Sequence, residues 1–575
     1  MQIKASDYIV GQLKEYGINH YFGYQGTMIA HLVDSICKDS DVHNHVCYNE
    51  QGAAMAAVGY TKASGAVAVA YATSGPGAIN LMSGIADAFY DSVPVVCLVG
   101  QLNTNEYTDV PELRQQGFQQ TDVVSMFKPI SKFVIQVTDA ADIPEYIHKA
   151  YRIATTGRKG PVVLDIPMNV QRTMIEVEGF EALPEKEEFP KNSFDQIKEA
   201  LAESKRPLLL LGNGLSKLEA DRKLIAKQAM DTNIPIITSM LGRDIIPSDY
   251  ELNLGFLGAA YGHRAANIIS ARKADLIIAL GCSFCRRQTG LKSEEYAPEA
   301  TIIRVDVDEV ELRRKVHQSE IDIIADAHEA LAFIVENGWT VNSEWLDFCK
   351  ETKHDCEQFD AKVCVGREPN KLVAELSASF PEDAVICSDV GQHQIWCAQS
   401  IQIKNNRRLI FSGGHGAMGF AIPAAIGAHY AQGHPTIAIC GDGAAQMNIQ
   451  ELQWIVRDQV PVTIIVLNNN SLGLIRQQQD DFFDKKHFGA TAEYGFSSPS
   501  FAKLAKAYGI DSAEVYSIED INEVVSNHKF DKPLMIEVIM PGDTKAYPKT
   551  YFGEKMFNQR PYLDETIMNR ILSNE

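Results

Sequence analysis

Asp442 and Asn469 are the residues whose types and spacing first suggest chemistry. Each follows an apolar run: Thr436 to Cys440 leads into Gly441-Asp442-Gly443, and Val462 to Leu467 leads into Asn468-Asn469. A carboxylate and an amide carbonyl are hard oxygen donors, the kind Mg²⁺ takes when it also holds a diphosphate. Gly441, Gly443 and the small Ala444 leave the backbone open to phosphate oxygens. A helix starting there aims its free N–H groups and positive end the same way. A Gly-Asp-Gly turn alone reads better as an ordinary strand-to-helix turn. The asparagine pair at the end of the next run is what favours a diphosphate and a metal.

The elements that must position these two residues follow from periodicity. Between the apolar runs, Met447, Leu452, Ile455 and Val456 are spaced to share a helix face. Strand, helix and strand in this length make a βαβ unit with a right-handed crossover. That topology places Asp442 and Asn469 at the carboxyl ends of parallel strands, the edge where open α/β sheets bind ligands.

The same alternation runs through the chain. Strands are expected at His20 to Gly23, Val67 to Tyr71, Val93 to Val99 and Val162 to Leu164. A second set is expected at Leu208 to Leu211, Ile234 to Thr238, Leu276 to Leu280 and Ile302 to Val305. Continuous apolar strands alternating with helices indicate α/β architecture with mostly parallel sheets covered on both faces. The expected organisation is three doubly wound domains: 1–170, 190–342 and 366–550, with a tail at 551–575. The acidic, Pro-containing stretch 170–190 reads as a linker, and the charged, less patterned stretch from Asn342 to Arg367 as a second separator.

Bulk properties exclude several function classes. A chain of 575 residues is too long for one core, and 45% hydrophobic with 22% charged residues describes a globular protein. A formal charge of −21 argues against nucleic acid and against an anionic membrane surface. No apolar run approaches the ~20 residues a membrane span needs. The opening stretch, Met1 to Gly17, reads as an amphipathic helix and not as a signal peptide. Eleven scattered cysteines suggest free thiols in a reducing cytoplasm, and Cys282/Cys285 lack the second pair that a zinc set needs.

Three further stretches carry candidate chemistry. Glu50 opens an Ala-rich helix after an apolar run, where a carboxylate is also favoured by the helix dipole alone. Ser74-Gly75-Pro76-Gly77 is a tight turn that opens another helix, with Asn80 in its first turns. A Gln-rich loop with Gln119 leads to Lys132. Gly414, Gly416 and Gly419 formally match a dinucleotide fingerprint, but no acidic residue stands at the required distance in a βαβ frame, and that reading is rejected.

Gly-Asp-Gly followed by Asn-Asn resembles the signature of thiamine diphosphate (ThDP) enzymes. Asn49 to Ala63, Thr73 to Leu81 and Gly117 to Thr121 are similar to segments of the acetohydroxyacid synthase (acetolactate synthase) branch. The resemblance runs from about residue 3 to 545. It implies a pyrimidine-binding N-terminal domain, a diphosphate-binding C-terminal domain, and a central domain that in this branch holds a structural FAD. It assigns Mg²⁺ to Asp442, Asn469 and the Ser471 carbonyl. Val390, Gly391, Gln392 and His393 would meet the diphosphate. Gly416 and Met418 would offer main-chain bonds to the aminopyrimidine, with the Met418 side chain between the cofactor rings. Gly26, Pro76, Asn80, Leu472 and Gly473 would complete the cofactor site. Glu50 would bond the pyrimidine nitrogen, with Gln119, Lys132 and Arg287 on the substrate side.

The implied activity is a ThDP- and Mg²⁺-dependent carboligase. It decarboxylates pyruvate or a related 2-oxo acid and passes the two-carbon unit to a second carbonyl compound. The implied assembly is a cytoplasmic dimer or tetramer with its active site between subunits. Several positions depart from the branch pattern. Tyr24-Gln25-Gly26-Thr27 replaces a Tyr-Pro-Gly-Gly, and Met168 replaces a lysine. His415 replaces a leucine, and Phe284-Cys285-Arg286-Arg287 lacks the usual acidic pair. Gln478, with Arg476 nearby, stands where the branch has a pocket tryptophan. A polar wall favours an acceptor bearing hydroxyls or an anion. Acetyl transfer to a keto-sugar nucleotide, simple decarboxylation and a non-catalytic ThDP-binding homologue are therefore alternatives.

Overall fold

The computed structural model describes residues 1–110, 112–183, 194–215, 219–363, 368–404 and 406–573. Of the stretch read as a linker, 170–190, residues 184–190 lie outside the described residues, as do 191–193 and 364–367.

Three six-stranded parallel sheets organise the chain. The first runs in the order His43–Val46, His20–Gly23, Ala68–Ala72, Val95–Gln101, Val162–Pro167, Phe133–Gln136. The third repeats that order with Arg408–Phe411, Val385–Ser388, Thr436–Gly441, Val462–Asn468, Leu534–Ile539 and Asp511–Val515. In the second sheet the first strand, Pro207–Leu211, sits at the centre beside Leu276–Leu280. Every residue of Val162–Pro167 and Leu276–Leu280 is buried, because helices cover both faces. The expected α/β class with parallel, doubly wound sheets is what the chain adopts, and the strands named from sequence recur with shifts of up to three residues.

Two stretches differ from the expectation. Ser343–Lys362 is a helix, not an unpatterned separator: Trp345, Cys349 and Cys356 recur at helical spacing and enter the core of the second sheet. The charged residues around them hid that stripe. The segment after Asp442 is not one continuous helix. A short turn, Asp442–Ala445, is followed by Gln446–Glu451, broken at Asn448, and only then by Leu452–Asp458. Met447, assigned to the buried face, is 51% exposed.

The C-terminal stretch folds back on the second sheet. Met556, Leu563 and Ile571 join its core, Arg264 donates to the Gln559 carbonyl at 2.8 Å, and Arg570 bridges Glu351 at 2.9 Å.

The first and third sheets share one core, and its spine is a helix pair. Glu50–Ser64 lies against Ala421–Gln432 at backbone contact. A Cβ on Gly59 would stand 2.2 Å from the Ala424 oxygen, and one on Gly427 would stand 1.9 Å from the Ala56 oxygen. Only glycine permits this approach, which explains a helix so rich in Ala and Gly.

Candidate active site

The third sheet builds most of the site. Thr436–Gly441 pairs with Val462–Asn468 from Thr436↔Val462 to Gly441↔Leu467, so Asp442 and Asn468-Asn469 leave the sheet at one level. Val385–Ser388 lies on the other side of Thr436–Gly441. The chain winds outward in opposite directions from these two strands, so the crevice between their ends is the switch point of the sheet. Val390, Gly391, Gln392 and His393 open the helix Gln392–Ser400 on that crevice. The structure therefore brings together the residues expected to hold a diphosphate and those expected to hold its metal.

Hydrogen bonds connect them. The Ser471 N–H donates to Asp442 Oδ2 at 3.0 Å. Asn469 Nδ2 donates to Thr544 Oγ1 at 2.8 Å and to Gln392 Oε1 at 3.3 Å, which leaves its carbonyl as the free end of the amide. Gln392 Nε2 donates to Gln477 Oε1 at 3.0 Å and to the Thr544 carbonyl at 2.9 Å. Gly473, at the start of the helix Gly473–Phe482, lies so close that a Cβ there would be 2.1 Å from Gln392 Oε1. Asn468 serves the fold instead, donating to Glu537 at 2.7 Å. Gly443 is covered by Leu472 and by the Met418 methyl, and Ala444 is buried in the short turn after it. Gly416 has a φ of +71° in the loop that brings Met418 here.

The electrostatics suit an anion and a cation. Burial pushes the Asp442 carboxyl up to about 6, although N–H groups of Gly443 and Ser471 favour its charged form. A divalent cation would reverse that shift. Burial lowers His393 to about 3, and its Nε2 is a buried nitrogen without a partner. The ring is packed between Gly391 and Gly441, where a Cβ would stand 2.7 and 2.9 Å from it. An anion at this point would favour the imidazolium and give it a second N–H to donate. Among the described residues no group of three His, Cys, Asp or Glu gathers as a metal site. One carboxylate, one amide and one main-chain carbonyl form a donor set of a different kind, suited to Mg²⁺.

A second cluster forms in the first sheet. Glu50 is 8% exposed at the start of its helix, with Asn49 as N-cap, and Asn80 Nδ2 donates to its Oε2 at 3.0 Å. Pro76 starts the Asn80 helix after Gly75, whose φ is +61°. The Gln119 carbonyl rests on Gly75, and Gly26 packs on Thr73 in the same turn. Glu50, Gly26, Pro76, Asn80 and Gln119 are thus neighbours. On the third-domain side, Tyr48 donates to Glu451, and Asn448 bonds both the Met55 sulfur and the Gly419 carbonyl. The other end of the Glu50 helix, at Lys62, bonds the Phe411 carbonyl, which precedes the Gly416 loop.

Two expected residues join neither cluster. Lys132 donates its ammonium to the carbonyls of Ile153 and Thr156, the latter at 2.8 Å. These are orphan carbonyls at the end of the helix Ile143–Thr155, where a cation is favoured by the dipole. Its ammonium is thereby engaged with the end of this helix. Arg287 lies exposed on the short helix Arg286–Thr289 of the central domain, near Tyr261. Arg476 is turned inward to the Thr544 carbonyl, so it does not line an open wall, whereas Gln478 is exposed beside Ile475.

Sequence reasoning missed Thr544, Gln477 and Glu451. Thr544 joins Asn469 to Gln392, yet it lies beyond the last strand with no motif around it. Glu451 accepts the Tyr48 N–H at 3.1 Å next to the Glu50 helix, and burial raises it to about 7. A carboxylate inside an apolar helical stripe was the available signal.

Comparisons with known proteins agree with this layout. Residues 3–126 match the thiamine pyrophosphate enzyme N-terminal TPP binding domain, 194–334 its central domain, and 389–538 its C-terminal TPP binding domain. The chain is 34% identical to the acetolactate synthase isozyme 2 large subunit of Escherichia coli over 551 residues, covering 95% of this chain and 97% of that one. It is also 34% identical to the acetolactate synthase large subunit of Lactococcus lactis over 568 residues, covering 95% and 94%. A probable acetolactate synthase large subunit of Methanocaldococcus jannaschii is 34% identical over 588 residues, covering 97% and 95%.

Proposed function

We propose a catalytic role for each cluster from the premise that this chain belongs to the thiamine pyrophosphate enzymes, in the family of acetolactate synthase large subunits. The chain is a ThDP-dependent carboligase acting on pyruvate, and the names of its relatives do not favour the decarboxylase, keto-sugar or non-catalytic alternatives. The observation that carries the reading is the Asp442–Ser471–Asn469–Gln392 network at the switch point of the third sheet. Asp442, Asn469 and the Ser471 carbonyl would hold Mg²⁺. Val390, Gly391, Gln392 and His393 would take the diphosphate, and Gly416 and Met418 the aminopyrimidine. When bound, ThDP supplies the electron sink for loss of CO₂ from a 2-oxo acid.

Glu50 is the proton-handling group in this reading. Asn80 orients its carboxyl, which would share a proton with the pyrimidine ring nitrogen. A second copy would bring its own Gly416–Met418 turn to this Glu50. Half-exposed Ile79, beside Asn80, supports cover by another chain. A homodimer is then the minimal active unit. Gln478 and Gln119 would face the acceptor, with Arg287 as a candidate anion contact from the central domain. That domain would hold FAD at the ends of its central strands, around Gly212-Asn213-Gly214 and Gly281. Support comes from its strand order, with the first strand in the middle, as in dinucleotide-binding folds. No helix among the described residues is long and apolar enough to cross a membrane, and the cytoplasm is the proposed location.

The test is product analysis with ThDP, Mg²⁺ and pyruvate, for the native chain and Glu50→Gln. Acetolactate from the native chain is expected. Glu50→Gln should keep cofactor binding and lose turnover; unchanged turnover would remove Glu50 from the mechanism.

A further inference from the structure

Among the buried charged groups outside both clusters, the one at Lys62 joins the domains. Lys62, in the last turn of the Glu50–Ser64 helix, donates to Asp91 Oδ2 at 2.6 Å and stands 3.6 Å from Asp87 Oδ2. Both carboxylate side chains are fully buried. One ammonium facing two carboxylates leaves a negative charge inside the protein, which is strongly disfavoured unless donors surround it.

The donors come from the third domain, in the segment that leads to Met418. The Gly413 and Gly414 N–H groups donate to Asp91 at 3.0 and 2.6 Å. The Ser412 hydroxyl donates to Asp87 Oδ1 and accepts the Ala417 N–H at 2.9 Å. Lys62 itself donates to the Phe411 carbonyl at 2.7 Å. The central domain adds Asn213, which donates to the Asp91 carbonyl at 3.2 Å. All three domains therefore meet at this group. Its bonds reach residues 411, 412, 413, 414 and 417 but not His415 or Gly416, where the loop turns with positive φ. Burial opposes the Lys62 charge, but Asp91 and Asp87 outweigh it and hold its pKa above the usual value. Burial keeps Asp87 above the ordinary carboxylate range despite Lys62.

We propose that Lys62, Asp87 and Asp91 are positioning residues: they hold the Phe411–Met418 segment in the shape that receives the cofactor's aminopyrimidine. The inference rests on the reading of Gly416 and Met418 given above. The physical basis is charge balance. In this conformation the Ser412 hydroxyl and the Gly413 and Gly414 N–H groups satisfy both carboxylates and leave Gly416 and Met418 outside the bonded set. Pinning five residues before binding reduces the ordering that binding would otherwise require.

The experiment is titration of the full-length apoprotein with ThDP at fixed Mg²⁺, paired with turnover at saturating ThDP. Lys62→Met leaves two buried carboxylates without a counter-charge, and its ThDP Kd should rise roughly 10- to 100-fold. Turnover at saturating cofactor should stay close to that of the native chain. The double variant Lys62→Met/Asp87→Asn returns the group to its native net charge and should recover most of the affinity, which a merely destabilised fold would not do. If Lys62→Met fails to fold, Ser412→Ala keeps the ion pairs, and its Kd should still rise severalfold. Native Kd values in Lys62→Met, or in Ser412→Ala where that variant is needed, overturn the proposal. Absence of ThDP binding by the native chain is a separate result, because it overturns the underlying reading of the turn.

Discussion

Replacing Gly473 with alanine tests how tightly the metal-side network is built. The new methyl would stand 2.1 Å from Gln392 Oε1 and 2.7 Å from Asn469 Nδ2, whereas ordinary contact begins at 3.4 Å. One of these amides must move by more than 1 Å. Neither can withdraw freely: Gln392 is bonded to Gln477, to Asn469 and twice to Thr544, and Asn469 to Thr544. Overpacking costs about 1–3 kcal/mol, and two lost hydrogen bonds add about 1 kcal/mol each. The larger displacement falls on Gln392, which bonds the Asn469 amide whose carbonyl is assigned to the metal. Mg²⁺-dependent ThDP affinity should therefore drop roughly 10- to 100-fold. The assay is calorimetric titration of ThDP at fixed Mg²⁺, alongside a thermal melt. The Tm should fall by roughly 6–20 °C, at about 2–4 °C per kcal/mol. Native affinity with a native Tm would show that the amides relax freely, and the network would lose its assigned role.

Three more outcomes are expected. The folded chain keeps Asp442 protonated up to about pH 6, whereas an unfolded carboxyl has lost its proton above about 4. Apoprotein stability should therefore decline as pH rises through that window, while Mg²⁺ affinity rises, since the ligand must be ionised; a flat Mg²⁺ titration from pH 5 to 7 would count against Asp442. His45 bonds His20 at 2.9 Å and packs against Tyr430, and burial lowers it to about 3. Its contribution is complete above the unfolded value near 6.5 and is lost as pH falls below it, so His45→Phe should flatten the acid side of a stability profile, and an unchanged slope would refute this. Lys132→Met should lower the Tm by a few degrees and leave kcat unaltered, because its ammonium serves helix-end carbonyls; a large fall in kcat would restore it to the substrate side.

The placement of Asp442 beside Asn469 was legible from pattern alone, because two apolar runs joined by a crossover must be parallel strands whose carboxyl ends share an edge. Glu50 was legible only through the resemblance, since a first-turn carboxylate has an ordinary electrostatic reason to be there. The helix Ser343–Lys362 was hidden because its apolar stripe is narrow and its outer face highly charged. Met447 was misplaced because periodicity assumes an unbroken helix, and Asn448 interrupts this one.

By itself, then, the sequence determined the α/β class, the switch-point position of the diphosphate residues and the donor types offered to a metal. These depend on local periodicity and on which residue ends each strand. Tertiary structure alone decided that Thr544 orients Asn469, that Lys132 caps a helix, that Arg476 turns inward, and that Lys62 joins two carboxylates to the loop before Met418. Those contacts link residues far apart along the chain. Burial determines their energies, and burial is known only once the sheets and helices have packed together.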